Sequence, residues 1–221
     1  MTEQDQSINT LRDIRTMMER SSRFISLSGW SGVSAGICAL IGSYLAYPYI
    51  YGDADPRIHP SDEYDVSSAF ALLWNSRLFW IAAATFVAAL LSAFLFTFLK
   101  SRKDGIPIWG SAARRLMLNV SIPLLVGAVF LVQLIEYGTP VLVAPGCLIF
   151  YGLALLHASK YTLIEIRYLA YGQLLLGLLN LRFAGYGLYF WMIGFGLLHI
   201  IYGIYMWWKY ERNDSSTGGG Q

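Results

Sequence analysis

The stretch FISLSGWSGVSAGICALIGSYLAY, residues 24–47, contains only apolar, aromatic and small hydroxyl side chains and no charge. A helix needs about 20 such residues to cross the hydrocarbon core of a bilayer. We therefore predict a first membrane-spanning helix over 24–47. Runs of similar character predict further spans at about 77–99, 116–135, 140–157, 166–181 and 186–208. The predicted fold is all-α: a polytopic membrane protein built as a bundle of six transmembrane helices.

The composition of the whole chain agrees with this fold class. Of its 221 residues, 56% are hydrophobic and only 14% are charged, whereas soluble domains carry about 25% charged residues. One soluble core of this size cannot hide so much apolar surface from water. The composition therefore argues against a soluble enzyme and against a disordered chain.

The segments outside the spans are short and polar. Residues 10–23, within an N-terminal segment 1–23, have apolar and arginine-rich faces at helical spacing, which predicts a short amphipathic helix on the membrane surface. A solvated helical extension is the alternative. The acidic connection 48–68 lacks the ligand spacing of a calcium loop, and we interpret it as a solvated outer loop. Residues 209–221 are predicted to form a flexible polar tail.

The positive charges predict the orientation. Thirteen Lys and Arg residues fall in the N-terminal segment, the connections after the second and fourth spans and the tail, against three on the other side. Cytoplasmic segments carry an excess of Lys and Arg. We therefore place both termini in the cytoplasm, which requires an even number of spans.

Residues 18–47, MERSSRFISLSGWSGVSAGICALIGSYLAY, resemble the opening of small multi-pass membrane proteins of bacteria that have no assigned activity. The shared feature is a first span rich in Gly, Ser and Ala behind an arginine-rich helix. The resemblance implies a bacterial cytoplasmic (inner) membrane and implies no mechanism.

Small residues in the first and last spans predict close helix packing. Gly32 and Gly36 form a GxxxG pair, and Gly196 and Gly203 lie on one face of the last span with His199. Such stripes let two backbones approach closely in lipid. The first-span stripe is either a homodimer face or a contact with another span of the same chain, and we favour the second.

Polar residues inside spans are the candidates for a site, because each costs free energy without a partner. The candidates are Gln133, Glu136, Gln173, Asn180 and His199. They either form hydrogen bonds between helices, the interpretation we favour, or line a cavity or translocation path. Arg77, Glu136 and Arg182 lie near the outer ends of their spans, and Glu136 is predicted to pair with one of the two arginines. The pair is either structural, the interpretation we favour, or part of the outer mouth of a pocket. Lys160, Glu165 and Arg167 are predicted to form a comparable cluster at the inner end.

His157 and His199 both end a GxxLLH pattern and could ligate haem or a metal. Their depths in the membrane differ by roughly 10 Å at 1.5 Å per residue, so we interpret them as hydrogen-bonded core imidazoles. Cys38 and Cys147 lie in separate spans without metal-ligand spacing. The prediction is no metal and no cofactor.

No catalytic signature such as G-x-S-x-G, HExxH or a P-loop occurs. The leading hypothesis is a non-enzymatic accessory, sensor-like or interaction subunit that meets a protein partner at its cytoplasmic face. The alternative is a small-solute or ion transporter or channel that uses polar faces of spans three, five and six. The nearly balanced charge argues against nucleic-acid binding. The expected partners are the lipid bilayer and a protein at the cytoplasmic face, with a second copy as a further partner if the first-span stripe is a homodimer face.

Overall fold

The computed structural model describes residues 28–51, 76–105 and 109–212. The predicted amphipathic helix, most of the acidic connection and most of the tail lie outside these residues. Within them the chain is helical and contains no strand. The predicted all-α class is therefore confirmed.

Six helices make up the described chain: α1 Gly29–Tyr51, α2 Arg77–Asp104, α3 Ser111–Glu136, α4 Val143–Ala158, α5 Ile166–Arg182 and α6 Gly187–Glu211. A 3-10 turn, Pro140–Leu142, leads into α4. The last helix widens into π-helix over Met192–Leu198 and again over Trp207–Glu211.

Five of these helices, all except α5, are long and apolar enough to cross a membrane, with α4 counted together with the 3-10 turn before it as Pro140–Ala158, 19 residues. They indicate a membrane-embedded protein. The prediction of six spans stays open for α5, which has 17 residues.

The first two helices end later in the chain than the predicted spans do. Pro48 does not end α1, which continues to Tyr51, because one missing amide donor is tolerated near a helix end in a membrane. The predicted second span stops at 99, but α2 continues to Asp104, where Gly105 adopts φ 65°. Gly138, at φ 69°, lies in the turn after α3. Both glycines adopt the left-handed conformation that other residues avoid.

Consecutive helices run antiparallel, so α1, α3 and α5 begin at the same end of the bundle at which α2, α4 and α6 finish. We call this the basic end, because nine of the eleven described Lys and Arg residues lie there. Helix α1 packs between α2 and α6, and α4 contacts α3, α5 and α6. The bundle is therefore held together through α1, α4 and α6, with α2 and α3 on its flanks.

Burial is inverted relative to a soluble protein. The buried apolar side chains are mostly small, including Ala39, Ala154 and Ala170, while large ones such as Leu118 and Val129 are about two-thirds exposed. Lipid solvates such side chains, so helix contacts in membranes depend on close packing of small residues instead. This distribution agrees with the membrane interpretation.

The glycine stripe of α1 contacts α6 of the same chain. A Cβ added to Gly32 would lie 3.1 Å from the Cα atom of Gly203, and one added to Gly203 would lie 2.5 Å from the carbonyl oxygen of Gly29. A Cβ added to Gly36 would lie 2.7 Å from the carbonyl oxygen of Gly196 in α6. Within the described chain, the stripe therefore packs against α6.

Gly203→Val should separate α1 from α6, because its Cβ would collide with backbone atoms that cannot rotate away. We expect the midpoint of thermal unfolding in detergent to fall by about 6 °C or more. Gly185→Ala is the matched control, since a Cβ there meets no atom within 4 Å. Equal midpoints for the two variants would contradict the packing described here.

Candidate functional site: a buried polar cluster between α4, α5 and α6

Six residues with buried polar atoms follow the interface of α4, α5 and α6. We call them the polar cluster: Tyr151, Glu165, Gln173, Asn180, His199 and Tyr202. Gln173 and Asn180 are completely buried, and His199 is 6% exposed. Glu165 and Asn180 are separated by roughly 20 Å along α5 at 1.5 Å per residue. The cluster therefore extends over much of the length of the bundle.

The carbonyl oxygen of Gly194 lies at the centre of the cluster. It accepts one hydrogen bond from Gln173 Nε2 at 2.8 Å and another from His199 Nδ1 at 3.0 Å. Gly194 lies in the π-helical part of α6, where the backbone hydrogen bonds no longer follow the α-helical spacing. A Cβ at this position would come within 2.7 Å of Gln173 Oε1, so only glycine allows the amide to approach.

The hydrogen bonds of His199 determine its tautomer. A carbonyl oxygen can only accept, so Nδ1 carries the proton that is donated to Gly194. In the neutral ring Nε2 is then an acceptor, and the hydroxyl of Tyr151 donates to it across 2.8 Å. The ring of Phe195 stacks on the imidazole, with centroids 6.0 Å apart. His199 is therefore hydrogen-bonded through both ring nitrogens within the helix interface.

Other polar atoms of the cluster have no hydrogen-bond partner within the described part of the chain. They are Glu165 Oε2, Gln173 Oε1, Asn180 Oδ1, Asn180 Nδ2 and the hydroxyl of Tyr202. A buried polar group without a partner costs about 1–3 kcal/mol. Such groups in native proteins usually face bound water or a ligand.

At the basic end the cluster meets a charged contact. Glu165 Oε1 accepts hydrogen bonds from Lys209 Nζ at 2.5 Å and from the Tyr210 hydroxyl at 2.7 Å. The Glu165 side chain is 5% exposed and that of Lys209 is 44% exposed. Burial raises the pKa of Glu165, but the hydrogen bonds from Lys209 and Tyr210 and the charge of Lys209 outweigh it, so the pKa lies below its ordinary value.

A second charged contact joins three helices at the same end. Glu211 Oε1 accepts from the backbone amide of Gly29 at 2.7 Å and from Lys100 Nζ at 3.3 Å. The Gly29 amide belongs to the first turn of α1, where the helix itself offers no acceptor. The last turn of α6 therefore holds α1 and α2 through Glu211 and the α4–α5 turn through Lys209 and Tyr210.

The structure brings together three of the five predicted site residues, Gln173, Asn180 and His199, at the helix interface. It does not bring Gln133 and Glu136 to them. These two form a hydrogen bond with each other, 2.6 Å long, on an exposed part of α3.

The predicted outer ion pair does not form among the described residues. Glu136 bonds to Gln133 instead, and Arg77 lies near Tyr49, with its Nη1 atom 3.4 Å from the hydroxyl. Arg182 is exposed. At the inner end, the cation that contacts Glu165 is Lys209 rather than Lys160 or Arg167.

The two histidines lie in different environments, since His157 is exposed at the end of α4 and His199 is buried. No group of three or more potential metal ligands occurs among the described residues. A cavity of about 500 Å³ between α1 and α2 is lined by Tyr44, Tyr47, Tyr49 and neighbouring residues. It shares no residue with the polar cluster.

Tyr151, Gly194 and Tyr202 were not among the site residues predicted from the sequence. Tyrosine and glycine are common near the ends and contacts of membrane helices, so nothing local distinguished these positions. The GxxLLH pattern did contain a usable signal, because its glycine in α6 is the residue that both Gln173 and His199 contact.

The fold and the site define an all-helical, membrane-embedded protein with a buried polar cluster in one three-helix unit. No protein-family model, no curated protein and no solved structure matches the chain.

Tyr151→Phe should destabilise the protein, because it leaves the Nε2 atom of a buried imidazole without a donor. We expect a loss of about 1–3 kcal/mol of unfolding free energy, measured by thermal or denaturant unfolding in detergent. Tyr137→Phe, at a tyrosine that is 78% exposed, is the control and should change nothing. If both variants unfold like the wild type, the bond to His199 has no energetic role.

Glu165→Gln should destabilise the protein at neutral pH and less so in acid. The folded-state pKa of Glu165 lies below its ordinary value of 4.5, so its stabilising contribution is present above that value. The contribution is lost as the pH falls towards the lowered value. Unfolding midpoints measured from about pH 7 to about pH 3 should therefore converge for the two proteins. A constant difference would show that the charge of Glu165 is not the cause.

Proposed function

We propose that the chain is a six-span protein of the bacterial cytoplasmic membrane, with the basic end and both termini in the cytoplasm. Nine described Lys and Arg residues at the basic end, against two at the other, support this orientation. With 17 residues, α5 reaches the lower limit for a membrane-spanning helix. The N-terminal amphipathic helix would then lie on the cytoplasmic surface. Fluorescence of a C-terminal reporter that matures only in the cytoplasm tests the orientation.

We propose further that this protein carries a small polar solute across the membrane by way of the polar cluster. The observation that supports this function is the set of partnerless atoms on Glu165, Gln173, Asn180 and Tyr202. They belong to one interface and follow one another from the basic end to the outer half of α5. A permeating solute would exchange hydrogen bonds with them in turn.

Purely structural polar contacts would look different. Polar residues that join helices in a membrane bond to each other, as Gln173, His199 and Tyr151 do around Gly194. Asn180 forms no such bond within the described chain. If its role were purely structural, an apolar residue of similar size would give a more stable protein, because burying an unbonded amide costs free energy. This difference favours a solute path over helix contacts alone.

The path proposed here differs from the one that the sequence predicted. It uses α4, α5 and α6, because Gln133 and Glu136 of α3 bond to each other on an exposed part of that helix. Tyr151 of α4 takes the place that Gln133 and Glu136 of α3 were expected to fill.

Reconstituted full-length protein should speed the equilibration of at least one small polar solute across liposomes. Stopped-flow light scattering after an osmotic challenge with urea, glycerol or methylammonium chloride would measure it, and a pH-sensitive dye would detect proton flux. Asn180→Leu should slow the flux about tenfold, the equivalent of one hydrogen bond of ~1.4 kcal/mol.

Gln133→Leu is the matched control, since this amide lies outside the cluster and the variant should conduct like the wild type. Wild-type liposomes that leak no faster than empty ones for every solute would refute a transport function.

We also propose, as a second candidate, an accessory subunit that binds a partner helix in the membrane. It is favoured by α2 and α3, in which few residues are buried, because each contacts mainly one neighbouring helix. In-membrane crosslinking from α2 positions such as Leu91 in native membranes would test it. Crosslinks to lipid alone would count against this candidate.

A further inference from the structure

We infer that the basic end carries a surface for anionic phospholipids, formed by Arg102 and Lys103 at the end of α2 and by Arg114 and Arg115 at the start of α3. We call these four residues the α2–α3 basic patch. Its ligands are the phosphate groups of anionic lipids in the adjoining leaflet. The inference does not depend on the proposed solute path, because the patch shares no residue with the polar cluster.

The two halves of the patch lie at the same face of the membrane. Helix α2 ends at Asp104 and α3 begins at Ser111, both at the basic end. The connection 105–110 between them can span at most about 25 Å. Lipid headgroups are separate molecules in the plane of the membrane, so the four side chains bind them side by side and need not converge on one point.

The charges of the patch are not neutralised within the described chain. All four residues are exposed, and none of them forms an ion pair with a described carboxylate. The ion pairs described at this end use other cations, Lys100 and Lys209. The sequence from 77 to 135 contains a single carboxylate, Asp104. The ends of α2 and α3 therefore carry an excess of positive charge.

Helix stability accounts for only half of the patch. Arg102 and Lys103 lie in the last turn of α2, where cations interact favourably with the helix dipole. Arg114 and Arg115 lie in the first two turns of α3, where the dipole disfavours cations, and the first turn contains no acidic residue. An anion from outside the chain would offset this cost.

The surroundings of the patch indicate that this anion belongs to a lipid. Few residues of α2 and α3 are buried, so most of their surface faces the membrane. The guanidinium of Arg102 lies over the ring of Phe98, 5.7 Å from its centroid, and this ring is on the exposed surface of α2. Trp109, in the connection, is 66% exposed, and tryptophan favours the depth of the headgroups. The patch therefore lies where headgroups are the nearest anions.

The composition of the patch suits phosphate. Three of its four residues are arginines, and a guanidinium can donate two parallel hydrogen bonds to one phosphate. Positive charge alone is enough to orient a membrane protein, so orientation does not explain the preference for arginine. Clusters of four or more cations beside a membrane helix are typical of anionic-lipid binding. Phosphatidylglycerol keeps a net negative charge, whereas phosphatidylcholine balances its phosphate with its own ammonium group.

Electron spin resonance of spin-labelled lipids tests the inference in phosphatidylcholine bilayers that contain the full-length protein. We expect labelled phosphatidylglycerol to associate with the protein about fivefold more strongly than labelled phosphatidylcholine, the equivalent of one net contact between a cation and an anionic headgroup. Salt at about 1 M should reduce the preference, because it screens exposed charges.

Arg114→Gln combined with Arg115→Gln should bring the ratio of the two association constants towards one. The matched control removes two charges elsewhere at the basic end, Lys160→Gln with Arg212→Gln, at residues that are also exposed. This control should keep the preference of the wild type. The unfolding midpoint of the arginine variant in uncharged detergent should not fall, because neither arginine has an ion pair within the described chain to lose.

Arg102→Gln combined with Lys103→Gln should also lower the ratio, and it keeps the test decisive if the first variant fails to fold. Equal association of the two lipids with the wild type would overturn the inference and leave the patch as a surface for an acidic protein. An equal loss of preference in the control, or full preference in both patch variants, would overturn it as well.

Discussion

The carbonyl oxygen of Gly194 accepts hydrogen bonds from two side chains, and the interface of α4, α5 and α6 is arranged around it. Gln173 reaches it from α5, and His199 reaches it from one turn further along α6. Tyr151 of α4 completes the group by donating to the imidazole. In a medium without water these groups depend on one another, because each would otherwise be buried without a partner. The π-helical widening of α6 and the missing side chain at Gly194 allow this contact to form.

The remaining packing follows from the same medium. Lipid solvates the large apolar side chains, so α1 and α6 are held by close backbone approach at Gly29, Gly32 and Gly203 rather than by a core of leucines. At the basic end, where water is near, charged contacts of Lys209 and Glu211 join α6 to the other helices. Asn180 Oδ1 and Nδ2 and Glu165 Oε2, in contrast, have no partner within the described chain, and these atoms support the proposed solute site.

Much of the helical framework could be predicted because it depends on local sequence. Apolar runs marked the helices, and α5 was predicted at 166–181 against Ile166–Arg182 in the structure. The predicted ends of the first two spans were less accurate. The first helix continues past Pro48, and the second continues as far as Gly105, whose left-handed conformation ends it. Gln173 and Asn180 were grouped correctly, since seven residues return a helix to the same face. Glu136 was placed in the site because it is a carboxylate within a span, but its spacing from Gln133 also lets the two bond along α3.

The sequence by itself determined that the chain is helical and suited to a membrane, and it showed which polar residues face the same side of a helix. These properties follow from the hydropathy and spacing of neighbouring residues. Only the tertiary structure decided which helices meet, that Tyr151 and Gly194 form hydrogen bonds with His199, and that Lys209 contacts Glu165. Those partners are separated by many residues in sequence, and the hydrogen-bonding needs of a buried group specify the kind of partner but not its place in the chain.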